Sequence, residues 1–114
     1  LFYFMTIQYK NAGFALDTTS VKTLFTCPTS GVAIVKSVLI ANDHSSDVAV
    51  KAAINDGTTF QFYQKTMTSD SSDNAVSGVL NLEAGDAITA EASVSNVITG
   101  VISYALIDRS QENG

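Results

Sequence analysis

Residues Thr23 to Gly57 read TLFTCPTSGVAIVKSVLIANDHSSDVAVKAAINDG, and this stretch decides the fold class. A short strand runs into the turn Cys27-Pro28-Thr29-Ser30-Gly31. A long apolar strand, Val32 to Ala41, follows. The polar loop Asp43-His44-Ser45-Ser46 leads to a further strand whose apolar residues Val48, Val50, Ala52 and Ile54 alternate down one face. Pro28 has no N–H to donate to a ladder, so it belongs at a strand end or edge. Alternation places Val32, Ile34, Lys36, Val38 and Ile40 on one face of the long strand and Ala33, Val35, Ser37, Leu39 and Ala41 on the other. Both faces are mostly apolar, which a strand with one wet face would not be. The two long segments are expected to pair as a hairpin, with the second apolar face covered by the rest of the domain or by a neighbouring copy.

The same pattern continues on both sides. Thr6 to Lys10 alternates as a short strand interrupted by Asn11-Ala12-Gly13, and Val21 to Thr26 is a second strand. Asp56-Gly57 supplies the positive φ that a tight hairpin turn requires. The aromatic strand Thr58–Thr66 should carry Phe60 and Phe62 on one side and Gln61, Tyr63 and Lys65 on the other. Thr68 to Asn74 is polar enough to be a loop, and Val76–Leu82 and Ala87–Ala92 are short strands. Val97–Asp108 is the last long strand, with Ile98, Ile102, Tyr104 and Leu106 on one side and Val97, Val101, Ala105 and Ile107 on the other; Gly100 marks a bend or a close backbone approach. About eight short strands and no helix predict an all-β antiparallel β-sandwich, jelly-roll-like. At 114 residues it is a single domain, 1–114, with an N-terminal arm 1–9 and a polar tail 109–114.

Charge narrows the function classes. Only 15% of residues are charged, and the net charge is −5. The six basic residues are scattered singly, so no basic stripe exists to track a phosphate backbone, and nucleic acid is not an expected partner. Most acids fall in turns, where an Asp side chain bonds the local backbone. No segment nears the ~20 apolar residues that would cross a membrane as a helix. The opening Leu-Phe-Tyr-Phe-Met run is too short for a signal segment and lacks a basic flank. Two readings of Leu1–Phe4 stand. Either Met5 begins the protein, or Phe2 and Phe4 belong to an arm that docks on a neighbour.

Catalytic and metal-binding constellations are missing from the pattern. His44 with Asp43 and Asp47 has too few ligands for zinc and reads as a polar loop. Asp70 and Asp73 lack the spacing of a calcium loop. Glu83, Asp86 and Glu91 have no spacing that would converge them into a carboxylate pair. Cys27, the only cysteine, sits in an apolar run as a buried thiol. Tyr63, Phe60, Phe62 and Tyr104 could stack sugars, but aromatics at such positions usually fill the core and its rim. The expectation is no catalytic residue, no cofactor, no metal and no enzyme.

The segment TLFTCPTSGVAIVKSVLIAN resembles a pattern of tailed-bacteriophage virion proteins, in which a Leu-Tyr/Phe-Thr-x-Pro segment leads into a long apolar strand ending in Ala-Asn. DVAVKAAINDGTT is similar to that family's next strand and turn, and VLNLEAGDAITAEASVSNVITGVISYAL to its closing half, so the resemblance spans roughly residues 21 to 107. It is strongest toward small structural proteins of marine and cyanobacterial phages. Cys27 stands where the family often has Val. The resemblance implies a non-enzymatic part of the particle: a capsid decoration or cement protein, or a tail, neck or baseplate accessory. It further implies assembly in the bacterial host cytoplasm, association with itself and docking on other virion proteins. The expected contact elements are the arm Leu1–Tyr9 and the loops Asp43–Asp47 and Thr68–Asn74. A carbohydrate-binding module and a calcium-stabilised adhesion domain are the rivals.

Overall fold

The computed structural model describes residues 6–108, so the tail 109–114 and the first five residues of the arm lie outside the described residues. Nine strands follow one another: β1 Thr6–Leu16, β2 Lys22–Thr26, β3 Gly31–Asn42, β4 Val48–Asn55, β5 Thr59–Met67, β6 Ser71–Asn74, β7 Leu80–Leu82, β8 Ala87–Ala92 and β9 Ile98–Asp108. They form two antiparallel sheets. One is ordered β1-β9-β3, with β6 and β7 end to end along the free edge of β3; the other is ordered β2-β8-β4-β5. Sandwich architecture and antiparallel pairing are as the alternation predicted.

The expected β3–β4 hairpin is not formed. β3 pairs with β9, β6 and β7, whereas β4 pairs with β5 and β8 in the opposite sheet. The polar loop therefore crosses the sandwich instead of turning within a sheet. Asn42 holds this crossing. It is 2% exposed. Its Nδ2 lies 3.1–3.3 Å from the carbonyl oxygens of Ser46, Met67 and Thr68, and its Oδ1 accepts the His44 N–H at 2.9 Å. Alternation alone cannot separate a hairpin from such a crossing, because both need two strands and a polar link. The hairpin within a sheet is β4–β5, where Gly57 takes φ 106° and Asn55 Oδ1 accepts its N–H.

Three register slips interrupt the ladders, and those in β3 and β5 overturn the predicted faces. In β3 the register with β9 slips between Val35 and Ser37, so Lys36 has no opposite residue. An uninterrupted strand would set Lys36 in line with Val38 and Ile40, placing an ammonium in the core, which is costly without a partner. The bulge turns Lys36 outward and lets Ala33, Val35, Val38 and Ile40 all point inward, each at most 1% exposed. In β5 the slip lies at Phe62, so that Phe60, Tyr63 and Lys65 oppose Ile54, Ala52 and Val50 on one side. In β2 it lies at Leu24. Leu24, Phe25, Phe62 and Tyr63 all pack on the core.

The remaining differences lie at strand ends and edges. β1 continues through Asn11-Ala12-Gly13, because its ladder with β9 is unbroken from Thr6 to Leu16. Residues 6–9 of the predicted arm are thus sheet. The predicted loop Thr68–Asn74 contains β6, and of Val76–Leu82 only β7 is strand. Between them Ala75 and Val76 are buried as a plug beside the β3 bulge. There Asn74 Oδ1 accepts the N–H groups of both Val38 and Val76 at 3.2 and 3.1 Å. The core between the sheets is completed by Val48 and Val50 from β4, Ile88 from β8, and Ile98 and Ile102 from β9. Each such aliphatic side chain contributes about 1.5–3 kcal/mol when fully buried.

Gly100 is the close approach its residue type implied: a Cβ there would overlap the Leu39 carbonyl oxygen and the Phe14 ring. Gly100→Ala should lower stability by about 1–3 kcal/mol, and adding Phe14→Leu should not restore it, since the Leu39 carbonyl stays in place. Asn42→Ala should cost about 2–4 kcal/mol, because several buried backbone groups lose their partner at once; urea unfolding measures both.

Candidate interaction surface

The predicted chemical residues do not converge. His44, Asp43 and Asp47 share the crossing loop, but the described residues contain no group of three His, Cys, Asp or Glu side chains able to hold a metal ion. Asp70 sits alone in a turn at φ 52°. Asp86 closes its own turn by accepting the Glu83 N–H at 2.9 Å, and Glu91 stands opposite Lys51 across the β4–β8 ladder. Cys27 is 1% exposed, with its Sγ 3.6–3.7 Å from three carbonyl oxygens. Burial pushes its thiol up, and the nearby Asp86 carboxylate adds to that. Both effects favour the thiol over the reactive thiolate.

The aromatic platform also fails to assemble. Tyr104 is buried with its ring 4.4 Å from that of Phe25, Phe62 and Tyr63 pack on the core, and only Phe60 stands exposed. Tyr63 and Asp73 instead join the two sheets along one side of the sandwich. The Tyr63 hydroxyl donates to Asp73 Oδ2 at 2.9 Å, and Lys65 Nζ stands 3.4 Å from the same oxygen. Burial, then the bond to Asp73, pushes the Tyr63 hydroxyl up to about 12. Asp73 is held below the usual carboxylate range, chiefly by that hydroxyl.

What the fold does assemble is an apolar outer face on the β1-β9-β3 sheet. Ile7, Tyr9, Val32, Leu39 and Val101 are exposed on it, from 39% for Val101 to 76% for Tyr9. Strand registers place Ile7 opposite Ile107, Tyr9 opposite Ala105, and Leu39 opposite Val101. Lys36, released by its bulge, lays its Nζ 4.6 Å above the Tyr9 ring, a cation–π contact. At the far end the face dips into an open trough of about 630 Å³ lined by Leu39, Ala41, Ser72, Thr99 and Val101. Tyr9 was not singled out in the sequence. Its signal was the alternation of Ile7 and Tyr9 with polar neighbours, which leaves inside and outside undecided in an edge strand.

No known family profile matches this sequence, and no curated protein is significantly similar to it. Several solved structures share its fold. A chain of the capsid of Helicobacter pylori bacteriophage KHP30 superposes with TM-score 0.55 at 16% identity, over 96% of this chain and 95% of that one. A pentameric capsid protein from metagenomic phage sequences gives 0.50 at 23% identity, over 89% of this chain and 63% of that one. A structure of Bacillus endospore appendages, described as disulfide-linked pili, gives 0.55 at 8% identity, over 94% and 89%. At these identities the likeness is one of fold.

The Tyr63–Asp73 pair should make stability depend on pH at both extremes. From pH 10 to about 12 an unfolded phenol ionises while the folded one keeps its proton, so stability falls over that window. Below about pH 4 an unfolded Asp73 takes up a proton that the folded carboxylate resists, so stability falls again as the pH drops. Tyr63→Phe should shrink both the alkaline fall, to which the raised Cys27 thiol also contributes, and the acid one, read from urea midpoints across pH.

Proposed function

We propose that this protein is a non-enzymatic structural component of a bacteriophage particle, with capsid decoration or cementing as its role. The observation that carries this reading is the strand order. β1-β9-β3 followed by β6 and β7 lies over β2-β8-β4-β5, and six of the eight connections pass from one sheet to the other. We read this as the two interlocked Greek keys of a jelly roll, an architecture that recurs in viral capsid and lectin domains. The whole chain is then one domain built on one core.

Chemistry favours the capsid side of that pair. A lectin-like module needs exposed aromatic or polar groups gathered at one site, and here three of the four candidate aromatics are in the core or bonded across the sandwich, leaving Phe60 exposed without the others. The phage-like sequence pattern and the fold likeness to two phage capsid proteins support the same reading. Covalent linkage of the kind named for the endospore appendages would need an accessible thiol, and the one cysteine of this sequence is buried. Tail, neck and baseplate accessories remain the second reading, since they too are non-enzymatic parts that dock on a particle.

Mass spectrometry and electron microscopy of purified particles test the proposal. The chain should be present in many copies and occupy symmetric positions on the shell. Density confined to the tail or neck would move it to the second reading, and absence from washed particles would overturn both.

A further inference from the structure

We propose that the outer face of the β1-β9-β3 sheet is a self-association surface, covered by the same face of a second copy of this chain. The inference deepens the reading of a particle subunit and rests on it only for its biological setting.

The first argument is charge. The chain carries a net charge of −5, so two copies repel over most of their surfaces. The outward positions of these three strands carry no carboxylate. β1 presents Ile7, Tyr9, Asn11, Gly13 and Ala15, and β9 presents Thr99, Val101, Ser103, Ala105 and Ile107. β3 adds Val32, Ile34, Ser37, Leu39, Ala41 and the bulged Lys36. None of the acids among the described residues is at these positions. The carboxylate of Asp73, at the margin of the trough, is turned inward to Tyr63 and Lys65. Lys36 is the one full charge on the face, and the Tyr9 ring already receives it. A negatively charged copy can approach this face without repulsion.

The second argument is which surface could be the partner. Five of the eight large apolar side chains that stand exposed in the described residues are on this face. The other three are Val21, just before β2, Phe60 on β5 and Val79, just before β7. An apolar face finds its apolar complement on the same face of another copy, which is the condition for a two-fold, isologous interface. The third argument is area. Three strand-widths by eleven residues of rise span roughly 520 Å² in projection. Two such faces in contact bury on the order of 1,000 Å², at the lower bound for a specific interface.

Sedimentation velocity on the full chain, from low micromolar to near-millimolar concentration, tests this. The wild type should form dimers or higher even-numbered species. Leu39→Asp and Tyr9→Ser should each weaken association at least about tenfold, while Val21→Asp, beside the opposite sheet, should leave it unchanged. Tyr9 is 76% exposed on an edge strand, so Tyr9→Ser keeps the test informative if Leu39→Asp fails to fold. A wild type that stays monomeric throughout, or association that Val21→Asp disrupts and the face variants do not, overturns the inference. So does footprinting of particles in which another virion protein, and not a second copy, protects Tyr9 and Leu39. The particle reading fails separately, by absence of the chain from particles, whatever the outcome in solution.

Discussion

The crossing held by Asn42 is the constraint on which the rest of the sandwich depends. β3 and β4 carry the most regular apolar patterns in the chain, and left to local rules they would pair edge to edge. The Asn42 amide binds the loop after its own strand at Ser46 and the far sheet at Met67 and Thr68. That places β3 and β4 in facing layers, where Val38 and Ile40 meet Val48 and Val50 across the core. A buried amide is costly unless satisfied, so its network accepts few alternative arrangements. The polar group therefore contributes more to specificity of topology than its own bond energies suggest.

Much of the fold was legible in the sequence, and the failures share a cause. Turn residues and alternation located β4, β5, β8 and β9 closely, and the Asp56-Gly57 hairpin formed as its residues implied. Alternation assumes an uninterrupted period of two. Leu24, Lys36 and Phe62 each break it by one residue, and each break exchanges inside for outside along the remainder of the strand. The exchange at Lys36 is readable in hindsight, because a lone lysine between Val35 and Val38 cannot stay on the core face. The bulges at Leu24 and Phe62 have no such marker, since each is followed by another large side chain, Phe25 or Tyr63, and either of the two could face in. Pairing across sheets was not legible at all, because it is decided by contacts between residues far apart in sequence.

The candidate surface shows the same division. Among the chemical candidates, the backbone N–H groups of His44 and Glu83 make local bonds, Asp70 stands in a turn and Cys27 is buried. Of the expected contact elements, the arm Leu1–Tyr9 contributes Ile7 and Tyr9 to the exposed apolar face, and the loops Asp43–Asp47 and Thr68–Asn74 contribute none of its exposed apolar side chains. The face that gathers exposed apolar side chains is made by three strands, and its composition follows from the Lys36 bulge. Without that slip, a strand that kept Ala33 and Val35 inside would put Val38 and Ile40 outside and Leu39 inside. A single inserted residue thus decides both the core and the surface of one sheet.

The position of β9 has a consequence for how the molecule is made. β9 lies between β1 and β3, and among the described strands it is the only ladder partner of β1. Leu16 pairs with Ile98, so β1 emerges from the ribosome long before the strand that completes its sheet. Such non-local closure is slow compared with local turns. The apolar outer face cannot exist before β9 is made, because β9 supplies its middle row. The proposed self-association must then follow folding, since a half-folded chain lacks the surface for it.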